Sequence, residues 1–277
     1  MKLERLAAFA DGDIGGNPAG VALMESWPSP EDMMATAANV GYSETVFAVP
    51  LSPGRWRVRY FAPEMEVSFC GHATIALGAV LADRVGEGSF SLDLNDGSIM
   101  VSATRASGGL RVELNSPPTR SEPASDDLVE AALKLFGYDV EDLNISIPPA
   151  VAHAGADHLI LCLTSRESLR SMNYDLRAGA ALMRIHGLTT IALVVPRFPR
   201  HFDVRNAFAA GGVLEDPATG AAAAALSGYL RDIDWPHEGR IDISQGEDMG
   251  APSRIVAEIP AERGSSIRVS GTVRRLS

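Results

Sequence analysis

The sequence predicts an α+β protein of two pseudo-repeated domains, each a curled, antiparallel-rich sheet around one central buried helix. Each half of the chain carries a helical segment built almost entirely of small apolar residues, preceded by a strand of similar pattern. A helix with Ala or Gly on every face has no solvent side, so we expect both to be buried all round. Short strand-like segments broken by turn signals indicate antiparallel hairpins, and the recurring order indicates a weak internal duplication.

Composition and charge exclude several classes of protein. The chain has 277 residues, of which 46% are hydrophobic and 21% charged, which suits a globular protein of one or two domains. The formal charge of −11 argues against nucleic acid or an anionic membrane as a partner. The sequence contains no apolar run of about 18 residues and no signal-peptide core. We therefore expect a cytoplasmic protein with a small-molecule substrate.

The first half begins with two predicted strands, a capped helix and two further strands. Ser29 is the predicted cap of the helix, Pro30 takes its first position and Gly41 ends it. In residues 55–61 arginine alternates with large apolar residues, which is typical of a half-buried strand. The predicted strands are 3–9, 19–24, 43–49 and 55–61, and the first helix of small residues covers 71–83.

The order of elements recurs after a predicted linker. Residues 88–114 read as hairpin strands with turns at Asn95-Asp96-Gly97 and Gly108-Gly109, and the polar segment 115–123, with its three prolines, is the predicted linker. The predicted domains are 1–117 and 124–262, with the last strand, within 263–277, returning to the first domain. The later predictions are a helix at 125–136, strands at 158–163 and 190–195, and a helix at 176–185 capped by Asp175.

Both helices of small residues carry polar side chains in and just before their first turns. These are His72 and Thr74 in the first half and Asp216 and Thr219 in the second. The start of a buried helix holds several unpaired N–H donors, which need an acceptor. We therefore expect both helix starts to face one cleft between the domains, where they would bind a small carboxylate or enolate.

Five separated segments resemble a known family in their order and spacing. They are "GNPAGV" at 16–21, "SETVF" at 43–47, "RYFAPEMEVSFCGHAT" at 59–74, "GGVLEDPATG" at 211–220 and "SQGEDMGAPS" at 244–253. The chain resembles, over almost its whole length, the PhzF-like family of phenazine-biosynthesis isomerases and their relatives, which share the diaminopimelate-epimerase fold. The resemblance implies an isomerase without a cofactor, often a homodimer, with a catalytic glutamate between its domains. We also expect no metal site, because two cysteines are too few for a zinc site with four thiolate ligands.

The resemblance assigns site roles to individual residues. Glu44 matches the catalytic glutamate and would take a proton from one carbon and return it to another, while His72 and Asp216 would orient the substrate or act as a second acid. Without the resemblance, a glutamate at a strand end is typically a solvated charge, His72 equally fits a buried core histidine, and Asp216 fits the N-cap of the second helix. The matched substrate-binding positions are Asn17, Gly71, Gly220 and Ala221.

Two residues depart from the phenazine-type pattern. Ala221 stands where such members carry a serine, and Ala251 replaces the arginine common in the "GRPS" motif. The first change removes a hydroxyl that could hold a substrate carboxylate or amine. A relative that acts on a compound other than a phenazine precursor is therefore favoured.

The two cysteines leave a second mechanism open. In the cysteine-type epimerases of this fold two thiols flank the substrate carbon, and Cys70 lies where the first would be. The start of the second helix offers no thiol, and Cys162 lies in an apolar strand, which is typical of a core residue. A two-thiol racemase is thus disfavoured, although an epimerase that uses Cys70 with Glu44 or Asp216 stays open, as does a non-catalytic metabolite-binding homologue.

Overall fold

The computed structural model describes residues 2–95, 97–106 and 109–277, so Asp96 and Gly108 of the two predicted hairpin turns lie outside the described residues. The chain divides into two compact units. The first unit comprises Met1–Asn115 and Ser270–Ser277, and the second comprises Ser116–Val269. Within the described ranges, no helix has the length and apolarity needed to cross a membrane.

Strands dominate the first part of the chain. Two helices accompany them, α1 (Pro30–Val40) and α2 (Gly71–Val85). The strands are β1 (Lys2–Ala10), β2 (Asn17–Leu23), β3 (Thr45–Ser52), β4 (Arg55–Phe61), β5 (Glu66–Val67), β6 (Gly88–Leu94), β7 (Gly97–Ala106) and β8 (Gly109–Pro118).

The second part of the chain mixes strands with more helices. The helices are α3 (Asp126–Phe136), α4 (Arg166–Arg170), α5 (Leu176–Ile185) and α6 (Gly220–Asp232). The strands are β9 (Arg120–Pro123), β10 (Ala150–His153), β11 (Asp157–Cys162), β12 (Thr190–Phe198), β13 (His201–Ala207), β14 (Glu215–Asp216), β15 (Arg240–Gln245), β16 (Ser253–Glu258) and β17 (Ser266–Arg275).

The two units repeat one strand topology. In the first unit β2 runs parallel to β3, β3 pairs antiparallel with β4, and β4 pairs antiparallel with β5 and parallel with β6. In the second unit β11, β12, β13, β14 and β15 repeat these relations in the same order. The predicted α+β fold of two pseudo-repeated halves is therefore confirmed. In the first unit β17 also pairs antiparallel with β1.

The central helices α2 and α6 are buried on every face, as their composition predicts. Every residue from His72 to Ala82 and from Ala222 to Arg231 is buried. Each helix packs so closely that a β-carbon would not fit at one glycine: at Gly78 it would lie 2.6 Å from a methyl group of Val112, and at Gly228 it would lie 2.7 Å from Thr119. Small residues thus allow the sheet of each unit to close around its helix.

The surface helices follow their local signals. The Ser29 hydroxyl accepts a hydrogen bond from the backbone N–H of Asp32, and Gly41 ends α1 in the left-handed conformation, as predicted. The predicted stripe of Met33, Ala37 and Val40 is buried. Met33 and Ala37 pack against the side chains of Phe47 and Phe61 and so hold α1 on β3 and β4.

The predicted linker at 115–123 is wrong as secondary structure. Its residues complete β8 and form β9, which pairs antiparallel with β10. Partners from distant residues compensate for its prolines: the Ser116 hydroxyl accepts a hydrogen bond from the Ile267 N–H at 3.0 Å, and the Thr119 N–H donates to the Gly264 carbonyl at 3.0 Å. The prolines stand at strand ends, where a missing N–H donor is tolerated.

Candidate active site

Glu44 directly precedes β3, and the structure places its side chain against the first turn of α2. Its backbone carbonyl accepts a hydrogen bond from the Gly20 N–H of β2 at 3.2 Å, which fixes the chain at this point. The Glu44 Oε2 atom lies 3.4 Å from the His72 Nε2 atom. This oxygen is buried and makes no hydrogen bond of normal geometry with any described residue. A buried carboxylate oxygen without a donor is energetically costly, so it needs an explanation.

Cys70 and Ser43 complete the surroundings of the His72 ring. The Cys70 Sγ atom lies 3.3 Å from Nδ1 and 3.8 Å from Nε2, and the Ser43 Oγ atom lies 3.4 Å from Nε2. One ligand atom each from Glu44, Cys70 and His72 falls within 4.8 Å of the others. Sequence reasoning predicted roles for Glu44 and His72 separately, and the structure brings them together with the thiol.

A buried hydrogen-bond chain holds the backbone of Cys70. The Thr74 hydroxyl donates to the Cys70 carbonyl at 2.7 Å and lies 2.7 Å from the Tyr60 hydroxyl. Because the Thr74 proton is used in the first bond, Tyr60 donates the second. Burial raises the pKa of Tyr60, which keeps this phenol protonated. The start of α2 is therefore anchored to β4 by side chains within the core.

The predicted binding residues Asn17 and Gly71 lie in the same unit. Asn17 begins β2, is buried, and stands three residues before Gly20, whose N–H bonds to Glu44. Gly71 opens α2, and a β-carbon there would meet nothing closer than 3.9 Å. Packing alone therefore does not require glycine at this position, and its small size leaves the helix start open.

Asp216 lies in β14 of the second unit and is not the N-cap of α6, as one reading of the sequence predicted. It pairs with Asn206 of β13, and the cap position belongs to Thr219. The reason is that the Thr219 hydroxyl donates to the Asp216 carboxylate across the intervening turn, so the carboxylate binds a side chain and the helix begins at Gly220. Gly220 and Ala221 form the first two positions of α6.

A chain of polar side chains runs from Asp216 into the core. The Thr219 hydroxyl accepts hydrogen bonds from Asn206 Nδ2 at 2.6 Å and Gln245 Nε2 at 3.2 Å, and Gln245 Nε2 also donates to the Asp216 carbonyl at 2.6 Å. The Thr190 hydroxyl donates to Asn206 Oδ1 at 3.0 Å. These bonds orient both the Asp216 carboxylate and the first turn of α6.

His158 terminates this polar chain. Its Nδ1 lies 2.7 Å from the Thr190 hydroxyl, which already donates to Asn206, so Nδ1 carries the proton. Its Nε2 is buried and has no hydrogen-bond partner among the described residues. Burial lowers the pKa of His158 to about 4, which keeps the ring neutral at pH 7. The sequence analysis did not predict this hydrogen-bond network. Two signals could have indicated it: Gln245 lies in one of the quoted motifs, and Asn206 lies in a strand that precedes the second helix of small residues.

The central helices also differ from the surface helices in how they begin. The side chains of Ser29, Ser125, Ser165 and Asp175 accept hydrogen bonds from the first turns of α1, α3, α4 and α5. In contrast, Cys70 and Thr219, at the cap positions of α2 and α6, make no side-chain capping bond with their helices. The first N–H groups of both central helices are therefore not capped in this way, as an anion-binding role requires.

One ion pair recurs at the same place in each unit. Arg59 donates to Glu66 at 2.8 and 2.6 Å, and Arg205 donates to Glu215 at 2.5 and 3.1 Å. Both pairs fix a two-residue strand, β5 or β14, to the strand beside it. Each helix then begins four residues after its short strand ends, which makes Cys70 and Thr219 equivalent positions.

The sequence is similar to known proteins over nearly its whole length. Residues 6–274 match the family model described as phenazine biosynthesis-like protein, which is nearly the whole chain. The chain belongs to this family. An uncharacterised isomerase of Deinococcus radiodurans is 32% identical over 96% of this chain and 90% of its own length. The trans-2,3-dihydro-3-hydroxyanthranilate isomerase of Pseudomonas aeruginosa is 32% identical over 95% of this chain and 93% of its own.

Solved structures agree with the phenazine biosynthesis-like assignment at the level of fold. The PhzF-family protein of Bacillus anthracis superposes with a TM-score of 0.87 at 21% identity, covering 100% of this chain and 98% of that one. A probable proline racemase of Agrobacterium radiobacter superposes with a TM-score of 0.66 at 12% identity, covering 99% of this chain and 91% of that one. The family and the names of its relatives indicate an isomerase on an epimerase-like fold.

The second cysteine of this phenazine biosynthesis-like protein lies in a core strand of the second unit and not in the first turn of α6. Cys162 ends β11 in the core, where burial raises the pKa of its thiol to about 12. The position equivalent to Cys70 in the second unit is Thr219, a hydroxyl already bonded to Asp216. A pair of thiols at the two helix starts is therefore not available in this chain.

Proposed function

We propose that this protein is a cofactor-independent isomerase that moves a proton between two carbon atoms of a small carboxylate-bearing metabolite, with Glu44 as the proton carrier. The observation that carries the proposal is the buried Glu44 Oε2 atom, which has no hydrogen-bond partner among the described residues and lies 3.4 Å from His72 Nε2. An oxygen that is desolvated but unbonded is ready to accept a proton from a bound substrate.

The proposed reaction is a proton transfer in two steps. The Glu44 carboxylate removes a proton from a carbon next to a carbonyl group, and the electron pair of that C–H bond moves into a conjugated enolate. The resulting carboxylic acid then returns the same proton to another carbon of the conjugated system, which restores the Glu44 carboxylate. Acid–base catalysis of this kind supplies about 10²–10⁴-fold, so positioning and electrostatics must supply the rest.

The proposed roles of the other residues follow from their surroundings. His72 lies against both Glu44 and Cys70 and would hold the carboxylate in place or donate to a substrate oxygen. The N–H groups at the start of α2 would stabilise negative charge on the enolate. Asp216, oriented by Thr219, is proposed to bind or protonate the substrate, with Asn17, Gly220 and Ala221 as further binding positions.

The proposed substrate differs from that of the characterised relative. One relative is named trans-2,3-dihydro-3-hydroxyanthranilate isomerase, so trans-2,3-dihydro-3-hydroxyanthranilate is the first compound to assay. However, Ala221 and Ala251 offer neither the hydroxyl nor the guanidinium of the phenazine-type pattern, so we propose that another small carboxylate is the better substrate. A cytoplasmic homodimer remains the predicted form of the protein.

Deuterium labelling tests the proposal. Wild-type protein and Glu44→Gln would be incubated in D₂O with that anthranilate compound and a panel of unsaturated carboxylates, and the products analysed by NMR and mass spectrometry. We expect wild type to form a positional isomer. Its receiving carbon should carry either the original hydrogen or deuterium from the solvent. Glu44→Gln should form no product. Equal turnover by both proteins would remove Glu44 from the mechanism.

An epimerase that uses Cys70 is the second candidate, favoured by the 3.3 Å distance from Sγ to His72 Nδ1. The same experiment distinguishes the two, because an epimerase places deuterium on the original carbon with inversion of configuration. A non-catalytic homologue would instead retain a ligand in a metabolite pull-down with both wild type and Glu44→Gln, and neither protein would convert it.

A further inference from the structure

We propose that the side chains of Glu44, Cys70 and His72 form a binding site for a thiophilic divalent cation of the Zn²⁺ class. A carboxylate oxygen, a thiol sulfur and an imidazole nitrogen fall within 4.8 Å of one another, and the three residues come from two separate segments of the first unit. Two cysteines exclude a site with four thiolates, but they do not exclude a mixed site of this kind. Cys, His and Glu are all ligands that zinc accepts.

The distances fit a tetrahedral ion. Bonds of about 2.0–2.1 Å to nitrogen and oxygen and about 2.3 Å to sulfur put neighbouring ligand atoms of a tetrahedron roughly 3.3–3.6 Å apart. The observed separation is 3.4 Å between His72 Nε2 and Glu44 Oε2, and 3.8 Å between His72 Nε2 and Cys70 Sγ. The first separation already matches a tetrahedron edge, and the second needs only a small side-chain movement.

A second observation points to a ligand at this place. Glu44 Oε2 is buried without a hydrogen-bond donor among the described residues, and a cation would give it the partner that it lacks. The side chains of His72 and Glu44 are only 9% and 17% exposed, and Cys70 is buried as well. Three protein ligands leave a fourth position for water, as in open zinc sites.

The donor set also selects among cations. A thiolate and an imidazole favour Zn²⁺, Co²⁺ and related ions, whereas Mg²⁺ and Ca²⁺ prefer oxygen ligands and higher coordination numbers. A cation here would occupy the lone pair that Glu44 needs for accepting a proton. Bound zinc would thus inhibit the isomerase, a consequence that rests on the proposed function, whereas the binding itself does not.

Cobalt spectroscopy tests the binding directly. The full chain, treated with a chelator and then freed of it, would be titrated with Co²⁺ under anaerobic conditions. We expect one equivalent to bind, with a thiolate-to-cobalt charge-transfer band and the strong visible bands of a tetrahedral ion. One equivalent of Zn²⁺ should abolish both signals, and a large excess of Mg²⁺ should leave them unchanged.

Two variants test the ligands, and a third serves as the control. Cys70→Ala should remove the charge-transfer band, and Glu44→Gln and Cys70→Ala should each weaken Zn²⁺ binding by about tenfold or more, since even outer-shell partners contribute 10–100-fold. Cys162→Ala is the matched control, because its thiol is buried in β11 and should leave the band intact. No cobalt binding by the wild type, a band that survives Cys70→Ala, or a band lost in Cys162→Ala would each overturn the proposed site.

Activity measurements separate this inference from the proposed function. In chelator, Glu44→Gln reports on the isomerase mechanism alone, because no cation is present. Cobalt spectra report on the cation site alone, because no substrate is present. A failure of one proposal can therefore be recognised without reference to the other.

Discussion

The Nε2 atom of His72 lies 3.4 Å from the Oε2 atom of Glu44, which brings the second residue of α2 against the residue before β3. The thiol of Cys70 lies on the same imidazole ring. A backbone hydrogen bond to β2 fixes the chain at Glu44, and the side chains of Thr74 and Tyr60 anchor the start of α2 to β4. Both side chains are therefore candidates for the proposed proton transfer.

Replacing Glu44 by glutamine should lower turnover by about 10³-fold, because the amide keeps the shape of the side chain but cannot carry the proton. The midpoint of thermal unfolding should change little. Glu66→Gln is a suitable control, since it alters a carboxylate of the same unit that binds Arg59 and should affect stability more than turnover. Turnover of Glu44→Gln within tenfold of wild type would contradict the assigned role.

Removal of the Cys70 thiol should leave turnover within about tenfold of wild type when assayed with chelator, because Glu44 and not the thiol carries the proton. The measurement is steady-state turnover of Cys70→Ala, with circular dichroism to verify folding. Cys162→Ala should mainly lower the free energy of unfolding, by about 1 kcal/mol, because its side chain fills space in the core. A folded but inactive Cys70→Ala would instead support the thiol mechanism.

Thr219→Val should destabilise the protein by about 2 kcal/mol and also lower turnover. The substitution keeps the side-chain shape but removes the hydroxyl that binds the Asp216 carboxylate and accepts from Asn206 and Gln245, which leaves buried donors unpaired. Thr219→Ser retains the hydroxyl and should restore most of both losses. Urea unfolding and steady-state kinetics measure them, and equal behaviour of the two variants would contradict the assigned network.

Acid should destabilise the protein through His158. Its pKa in the folded protein is about 4, below the value of about 6.5 expected in the unfolded chain, so the unfolded state binds the proton first. The stability contributed by the neutral ring is complete above pH 6.5 and is lost as the pH falls toward 4. Between pH 7 and 4.5 this loss amounts to about 2 kcal/mol.

Urea unfolding of wild type and His158→Gln at both pH values isolates this contribution from that of the carboxylates, which titrate in both proteins. The glutamine amide can still donate to Thr190 but does not titrate. Wild type should lose about 2 kcal/mol more than the variant. An identical loss in both proteins would show that His158 is not the group responsible.

Local signals predicted much of the fold. The strand at 55–61 and the helix at 176–185 have the predicted bounds, and the caps Ser29 and Asp175 bind where expected. These elements depend on local signals, which are the alternation of side chains, a capping residue and a terminating glycine. Each signal involves residues within a few positions of one another. The burial of α2 and α6 was also predictable, because composition alone removes every polar face.

The remaining features depend on partners distant in sequence. Prolines at 117, 118 and 123 favour a linker locally, yet Ile267 and Gly264 supply the bonds that make strands there. Likewise, Asp216 followed by proline resembles a helix cap until its pairing with Asn206 is known. The contact between His72 and Glu44 follows from the register of β2, β3 and β4, which no local pattern specifies.

The uncapped starts of α2 and α6 have a consequence for attempts to engineer a more thermostable protein. A residue such as aspartate at position 70 would supply a capping bond worth about 1 kcal/mol, and a stability screen would select it. The same carboxylate would occupy the helix N–H groups and repel an anionic substrate. We therefore expect Cys70→Asp to raise the midpoint of thermal unfolding and to lower turnover.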